Sequence, residues 1–331
     1  MFKNVSILVS VLLSTIFGGL WVFDCWQAKD TAALQVAWEN ESVDKVGPFG
    51  TTNRLEILPL VNWHAANEGY KTEPGVSYLV KIDGATILFD VGFNRDEEAP
   101  SPLEHNMDML DISTSQIDAV FLSHNHADHV GGFWPVENGT FSLGNTQDDL
   151  SGKRIFAPVP IQYPNTTPET ILEPKALMTG VASTGPIARR LSLGAIDEQA
   201  LIINVEGKGL VAIVGCGHQT TRKLVQRIEE AFDEKLYGIV GDLHYPVPNG
   251  RLHIYGIDVQ RRLASGGGIF EPLTRADIDA EMAFLESRDL GLIAVGGHDT
   301  SDDVLSTLAQ RFEGQVRSVE VGTPIVVVND N

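Results

Sequence analysis

Apolar and polar positions along this chain mostly follow strand-length runs, with a few stretches of helical period between them. RLEILPLV, from Arg54, reads as a strand. VSYLVKI and TILFDVG, split by the turn pair Asp83-Gly84, read as a hairpin. LEHNMDMLDI is helical in pattern, and DAVFLS is a strand. From about 135 to 185 the pattern gives way to a Pro- and Asn-rich stretch with short strand candidates such as RIFAP. It resumes with ALIINVE and GLVAIVG, a hairpin turning at Gly207-Lys208-Gly209. TTRKLVQRIEEAF puts Leu224, Val225, Ile228 and Phe232 at helical spacing. LYGIVG, LGLIAVGG and TPIVVV read as strands, with 246–272 irregular. LTRADIDAEMAFLESR and SDDVLSTLAQRF read as helices, the first with Thr274 as N-cap and Asp277 three residues on. Many strands with few crossing helices predict two packed sheets with helices outside.

The N-terminus breaks this pattern. Val5 to Phe23 is uncharged and mostly apolar, with Lys3 before it and Asp24 after it. Its length is close to the ~20 residues that span a bilayer. This predicts a membrane anchor over residues 1–30, with a cleaved signal segment as the alternative and a buried helix of the globular domain as the third reading. The body would then lie outside the cytoplasm, or be secreted or periplasmic after cleavage. Residues 31–53 read as a connector and 54–331 as the catalytic domain.

Composition narrows the partners. With 44 acidic against 24 basic residues, a net charge of −20 argues against a nucleic-acid surface. A small-molecule substrate fits better, with an anionic group if Arg189-Arg190 or Arg261-Arg262 face it. The membrane is the other expected partner. Two cysteines, Cys25 and Cys216, exclude both a disulfide framework and a Cys-rich zinc site.

The chemistry concentrates in SHNHADHVGG at 123–132, which holds His124, His126, Asp128 and His129. Imidazole and carboxylate suit zinc and similar ions. The loop can aim His124 and His126 at one ion and Asp128 and His129 at a second, with Gly131 and Gly132 letting the backbone turn closely beneath. Other strands end in further donors: His218 after GLVAIVG, Asp242 and His244 after LYGIVG, and His298 after LGLIAVGG. A solvated polar loop would give no such repetition at strand ends, where sites are built.

On SHNHADHVGG, and on ILFDVG at 87–92, the chain resembles the metallo-β-lactamase superfamily of hydrolases over roughly residues 54 to 328. HNMDMLDISTSQIDAVFLSH, GCGH at 215–218, G-x-L-H at 241–244 and GGHDT at 296–300 are similar to the subgroup of dihydropterin–ribofuranosylaminobenzene phosphate synthases. That subgroup is expected to carry GCSH and HCT where this chain has GCGH and HDT.

The resemblance implies an α/β fold, a four-layer αβ/βα sandwich preceded here by the apolar N-terminal helix. It implies two divalent metal ions at the sheet edge, zinc first, with manganese or iron as alternatives. His124, His126 and His218 would hold one ion. Asp128, His129 and His298 would hold the other, with Asp242 as the bridging ligand. Asp128 or Asp242 would orient the nucleophile, and His244, supporting the ligands or facing substrate, would stabilise charge or protonate the leaving group. Ester or phosphoester hydrolysis is the expected reaction. A pterin-linked synthase and a catalytically silent scaffold are the alternatives. The family's di-iron reductases prefer glutamate at the position of His126, which favours hydrolysis here.

Simpler readings apply elsewhere. Asp90 is either a turn residue or the orienting partner of a ligand histidine. Cys216 reads as a small buried residue, and His64 and His105 as surface or capping residues. Gly266-Gly267-Gly268 lacks the Lys-Ser/Thr of a phosphate loop and reads as a flap.

Overall fold

The computed structural model describes residues 2–329 apart from 193, 266, 267 and 269; for residues 2–13 and 16 it describes the helical backbone alone. The chain opens with α1 (Phe2–Glu39). Strands β1 (Arg54–Val61), β2 (Ser77–Ile82) and β3 (Ala85–Phe89) follow, then α2 (Pro102–Met109) and β4 (Ala119–Phe121). Two short helices, α3 (Ala127–Val130) and α4 (Phe133–Asn138), precede β5 (Arg154–Ala157), β6 (Glu169–Thr170), β7 (Lys175–Met178) and β8 (Val181–Ser183). A hairpin of β9 (Ile187–Leu191) and β10 (Gly194–Glu198) leads to β11 (Leu201–Val205) and β12 (Gly209–Val214). Then come α5 (Thr221–Ala231), β13 (Leu236–Gly241), and the small strands β14 (His253–Ile254) and β15 (Ile257–Asp258). The chain ends with α6 (Arg275–Glu286), β16 (Leu292–Val295), α7 (Asp302–Arg311) and β17 (Ile325–Val328).

This is a mixed α/β fold with two large sheets, consistent with the expected sandwich. One sheet has the order β17-β1-β2-β3-β4-β5-β6, the other β16-β13-β12-β11-β8-β7. Side chains alternate across each strand, so every central strand feeds two cores. Leu55, Ile57, Phe89 and Phe121 of the first sheet meet Leu201, Ile203, Val211 and Ile213 of the second. The opposite face of the first sheet packs Leu60, Leu79 and Leu88 with Leu103 and Met107 of α2. The opposite face of the second packs Ala212, Val214 and Ile239 with α5, α6 and α7 through Leu224, Ile278 and Leu308. Burial on both faces is why these strands read as almost unbroken apolar runs.

Local signals explain the helix starts. Thr274 and Asp277 form the reciprocal capping box of α6, and Ser101 and Glu104 form one at α2, where Pro102 takes the first turn. In the second sheet, β12, β13 and β16 run parallel, so their C-terminal ends share one edge of the molecule. In the first sheet, β3 and β4 are parallel as well, and deliver their ends together.

The N-terminal expectation needs correction. Among the described residues, no helix is long and apolar enough to cross a membrane. Helix α1 does not stop at Phe23 but continues through Asp24, Lys29 and Asp30 to Glu39. Its polar half docks on the body. The Arg190 guanidinium lies 4.5 Å over the Trp26 ring, with its Nε 3.6 Å from Asp30. The Ser192 hydroxyl donates to Gln27 at 2.7 Å. Arg227 and Lys223 both cover Trp38, and Arg227 pairs with Glu41 at 2.6 Å. Charges placed against charged and polar neighbours keep this part of the helix on the protein, since hydrocarbon would leave them unpaired. The side chains of 5–13 and 16, most of the apolar run, lie outside the described residues. Membrane attachment as a partner, and the compartment readings built on it, fall with the anchor.

Candidate metal centre

The first wall of the site is the loop after β4. Asp90, at the end of β3, is fully buried and organises it. Its Oδ1 accepts from the Ser123 amide at 2.7 Å, and its Oδ2 accepts from the Ser123 hydroxyl at 2.6 Å. The same Oδ2 lies 2.7 Å from His129 Nδ1. Of the two readings of Asp90, the geometry is that of an orienting partner. With Nδ1 directed at Asp90, the His129 Nε2 lone pair turns inward, the arrangement that carboxylates impose on metal-binding histidines. The short helix α3 closes on Gly131 at φ +86°, where a Cβ would overlap the Ser142 carbonyl. The glycine requirement read from the sequence is met there.

The second wall comes from β12, β13 and β16. Past β12 the chain turns through Cys216, Gly217 and His218. Their three backbone amides donate to one carboxylate, Glu198 at the end of β10, at 3.0, 2.9 and 2.7 Å. Burial pushes the Glu198 carboxyl up to about 7, against the lowering effect of these amides. Gly217 has φ +83°, and a Cβ there would lie 2.7 Å from the Asp242 carbonyl oxygen. After β13 come Asp242 and His244, and after β16 come His298 and Asp299.

Three sets of donor atoms converge, each mutually within 4.8 Å: His124, His126 and His218; Asp128, His129, Cys216 and His298; and Cys216, His218 and Asp299. The first two contain the triads expected from the sequence. The electrostatics of the two differ. Burial, then the neighbouring imidazoles, hold His124 well below the usual histidine range. Burial, then His244 and His126, do the same to His218. Burial also dominates at His126, where Asp128 opposes it. All three shifts favour the neutral imidazole, the form that binds metal. Burial works against charge on His298 too, but Asp299, Asp128 and Asp242 outweigh it and raise the group to about 10. His129 is likewise raised despite burial, by Asp90 and then Asp128. Asp128 Oδ2 sits 3.1 Å from His298 Nε2.

Some of the expected residues stand apart. Among the described residues, Asp242 joins none of the three sets. Its Oδ1 accepts from the Asp299 amide at 3.2 Å, and its Oδ2 lies against Gly296. His244 is adjacent, with its ring 4.6 Å from that of His218 and Nδ1 3.1 Å from Asp299 Oδ2. His64 pairs with Asp302 and His105 with the Gly69 carbonyl, both at the surface as read. Arg190 and Arg261 are engaged by Asp30 and by the Leu273 and Pro248 carbonyls. Gly266 and Gly267 of the expected flap lie outside the described residues. Sequence reading missed Glu198 and Asp299 and took Cys216 only as packing. Asp299 is legible in hindsight, since it follows a ligand histidine at a strand end.

The donor set fits metal ions on its own geometry. His124 Nε2 and both ring nitrogens of His218 are buried without a hydrogen-bond partner. Unpaired buried lone pairs are costly unless something binds them. Beside them lies a cavity of about 230 Å³, lined by His218, His244, Arg189, Leu243, Tyr245 and Ile278 among others.

Comparison with known proteins places this geometry. The sequence model described as "Metallo-beta-lactamase superfamily" matches residues 70–140. A curated protein of Methanocaldococcus jannaschii, 7,8-dihydropterin-6-methyl-4-(beta-D-ribofuranosyl)-aminobenzene-5'-phosphate synthase, is 23% identical over 249 residues, covering 59% of this chain and 79% of its own. The solved structure of Tm1679, described as a metal-dependent hydrolase of the beta-lactamase superfamily, superposes with a TM-score of 0.58 at 19% identity. It covers 83% of this chain and 100% of its own. The metallo-beta-lactamase fold protein YhfI from Bacillus subtilis gives a TM-score of 0.50 at 13% identity over the same 83% of this chain and 100% of its own. The histidine motif lies inside the matched region, and the two-sheet fold around it is similar to that of these metallo-β-lactamase-type structures.

Proposed function

We propose that this chain is a metal-dependent hydrolase of small molecules, with residues 54–331 as the catalytic unit within a four-layer sandwich. Two divalent ions, zinc first, would be held by His124, His126 and His218 and by Asp128, His129 and His298. The observation that carries the reading is the set of buried, unpartnered imidazole nitrogens converging beside the cavity. Bound ions would supply Lewis-acid polarisation of the scissile group and a water of near-neutral pKa.

The protein's own residues do the rest. Asp90 fixes the ring of His129, and Glu198 fixes the Cys216–His218 turn. Asp128 holds its position through His298 and is sited to orient the attacking water. His244 directs Nδ1 at Asp299 and lines the cavity, so its Nε2 is the group that protonates a leaving oxygen. Arg189 lines the same cavity and makes no ion pair among the described residues. With Leu243 and Tyr245 beside it, the cavity suits a compact substrate with an apolar body and an anionic group. An ester or phosphoester bond is the target.

The test is a panel of phosphodiesters, lactones and thioesters with the full chain. Turnover of one class, lost on chelation and restored by metal, supports hydrolysis. His244→Ala is expected to lower kcat most for substrates with poor leaving groups. No turnover by a metal-loaded protein would remove the reading.

A second reading, a pterin-linked synthase, rests on the Methanocaldococcus relative. An exported body would have argued against a biosynthetic role, and that objection is gone with the anchor. GCGH and HDT in place of the expected GCSH and HCT keep it second. Incubation with a dihydropterin and an aminobenzene ribosyl phosphate distinguishes the two.

A further inference from the structure

Resting on the metal-site reading above, we propose that Cys216 is a metal ligand, its thiolate lying between the two donor triads where a bridging carboxylate was expected from Asp242. Cys216 is the residue common to the second and third sets of converging donors. It shares one with Asp128, His129 and His298, and the other with His218 of the all-imidazole triad and with Asp299. Its Sγ is 2.9 Å from His129 Nε2, the nitrogen that Asp90 turns inward. A thiol and an imidazole nitrogen at that separation both point at one place.

The turn that carries the sulfur is built to keep it there. The Glu198 carboxylate takes the amides of Cys216, Gly217 and His218 together, so the thiol and a ligand of the first triad move as one rigid unit. Gly217 lets the turn pass close over the Asp242–Leu243 backbone, which a side chain would prevent. Asp242 lies outside the donor sets among the described residues; its Oδ1 accepts from the Asp299 amide, and its Oδ2 is buried without a partner but converges with none of the three sets. Thiolate is a ligand that zinc and cobalt accept at about 2.3 Å. It binds as the deprotonated group, and its proton leaves to solvent as the ion enters.

The experiment uses the full chain reconstituted with cobalt(II), checked by elemental analysis for bound metal. A coordinated thiolate gives a near-ultraviolet sulfur-to-cobalt charge-transfer band that nitrogen and oxygen ligands do not. Two cysteines make the assignment clean, because Cys25 lies exposed on α1. The band is expected in the unaltered protein and in Cys25→Ser, and absent in Cys216→Ser, which should lose roughly half its metal if both sites depend on distinct triads. Cys216→Asp should recover metal without the band, and Asp242→Asn should keep both. X-ray absorption at the zinc edge, on the unaltered protein, reads the sulfur scatterer without any substitution. Bound metal with no band and no sulfur scatterer overturns the proposal and leaves the metal-site reading intact. A band that survives Cys216→Ser also overturns it. No bound metal at all overturns both.

Discussion

The two donor triads each join residues of the loop after β4 to a histidine from the second sheet, yet are built from different materials. His124, His126 and His218 are imidazoles kept neutral by burial and by one another. Asp128, His129 and His298 mix carboxylate with imidazoles whose pKa neighbouring carboxylates raise against the effect of burial. The first is ready to donate lone pairs. The second is an ion-pair network that a cation would have to enter. The difference teaches that one motif, H-x-H-x-D-H, splits its residues between two kinds of site. Supports outside the motif hold one member of each triad: Asp90 contacts the His129 ring, and Glu198 accepts from the His218 amide.

Breaking each triad separately gives the largest expected effects. His218→Ala removes one imidazole from the neutral triad, and Asp128→Ala removes the carboxylate from the mixed one. Each should lower hydrolysis by on the order of 10²-fold or more, the loss seen when one stabiliser of transition-state charge is removed. Each should also reduce bound metal. Unchanged metal and turnover in Asp128→Ala would end the claim of a second site.

Removing a support should separate the triads more finely. Asp90→Asn frees the His129 ring and should weaken binding to the mixed triad by about 10- to 100-fold. Titration against a competing chelator should then show one affinity shifted and the other kept. Glu198→Ala leaves three amides without their acceptor and should cost about 3 kcal/mol in urea unfolding of the metal-free protein. Glu198→Gln retains one acceptor oxygen and should cost less. An equal cost for both would mean that the three amides find other partners.

The smallest effect should come from the surface brace behind His298. Arg251 donates to the Gly297 and Thr300 carbonyls and pairs with Asp302. The Arg251 hydrogen bond, then its charge, draws the Asp302 carboxyl down to about 2. A lowered carboxyl contributes stability above the ordinary carboxylate range and loses it as pH falls towards 2. Asp302 is exposed, so Asp302→Asn should cost less than about 1 kcal/mol at pH 7, and its difference from the unaltered protein should vanish in acid. A cost that persists at pH 2 would show that charge is not its source.

How far the sequence reached also follows from this contrast. The central strands were legible because burial on both faces leaves unbroken apolar runs such as LIINV and GLVAIV. The first-sheet donors were legible because four of them fall within six residues, and His218 and His298 because each ends an apolar strand. The hairpin of β9 and β10 was not, since Arg189 and Arg190 interrupt its apolar pattern to meet α1 and the cavity. Glu198 acts through backbone amides some twenty positions away in the chain, and no local spacing announces that. Cys216 between glycines looks the same in sequence whether it packs or binds. The length of α1 was hidden because charges at Asp24, Lys29 and Asp30 read as a boundary until their partners on the body are known.

The most direct measurement is the metal content of the purified full chain, by elemental analysis, without chelator in any step. The account predicts about two divalent ions per chain, one for each triad. One ion, or none in a folded protein, would contradict it.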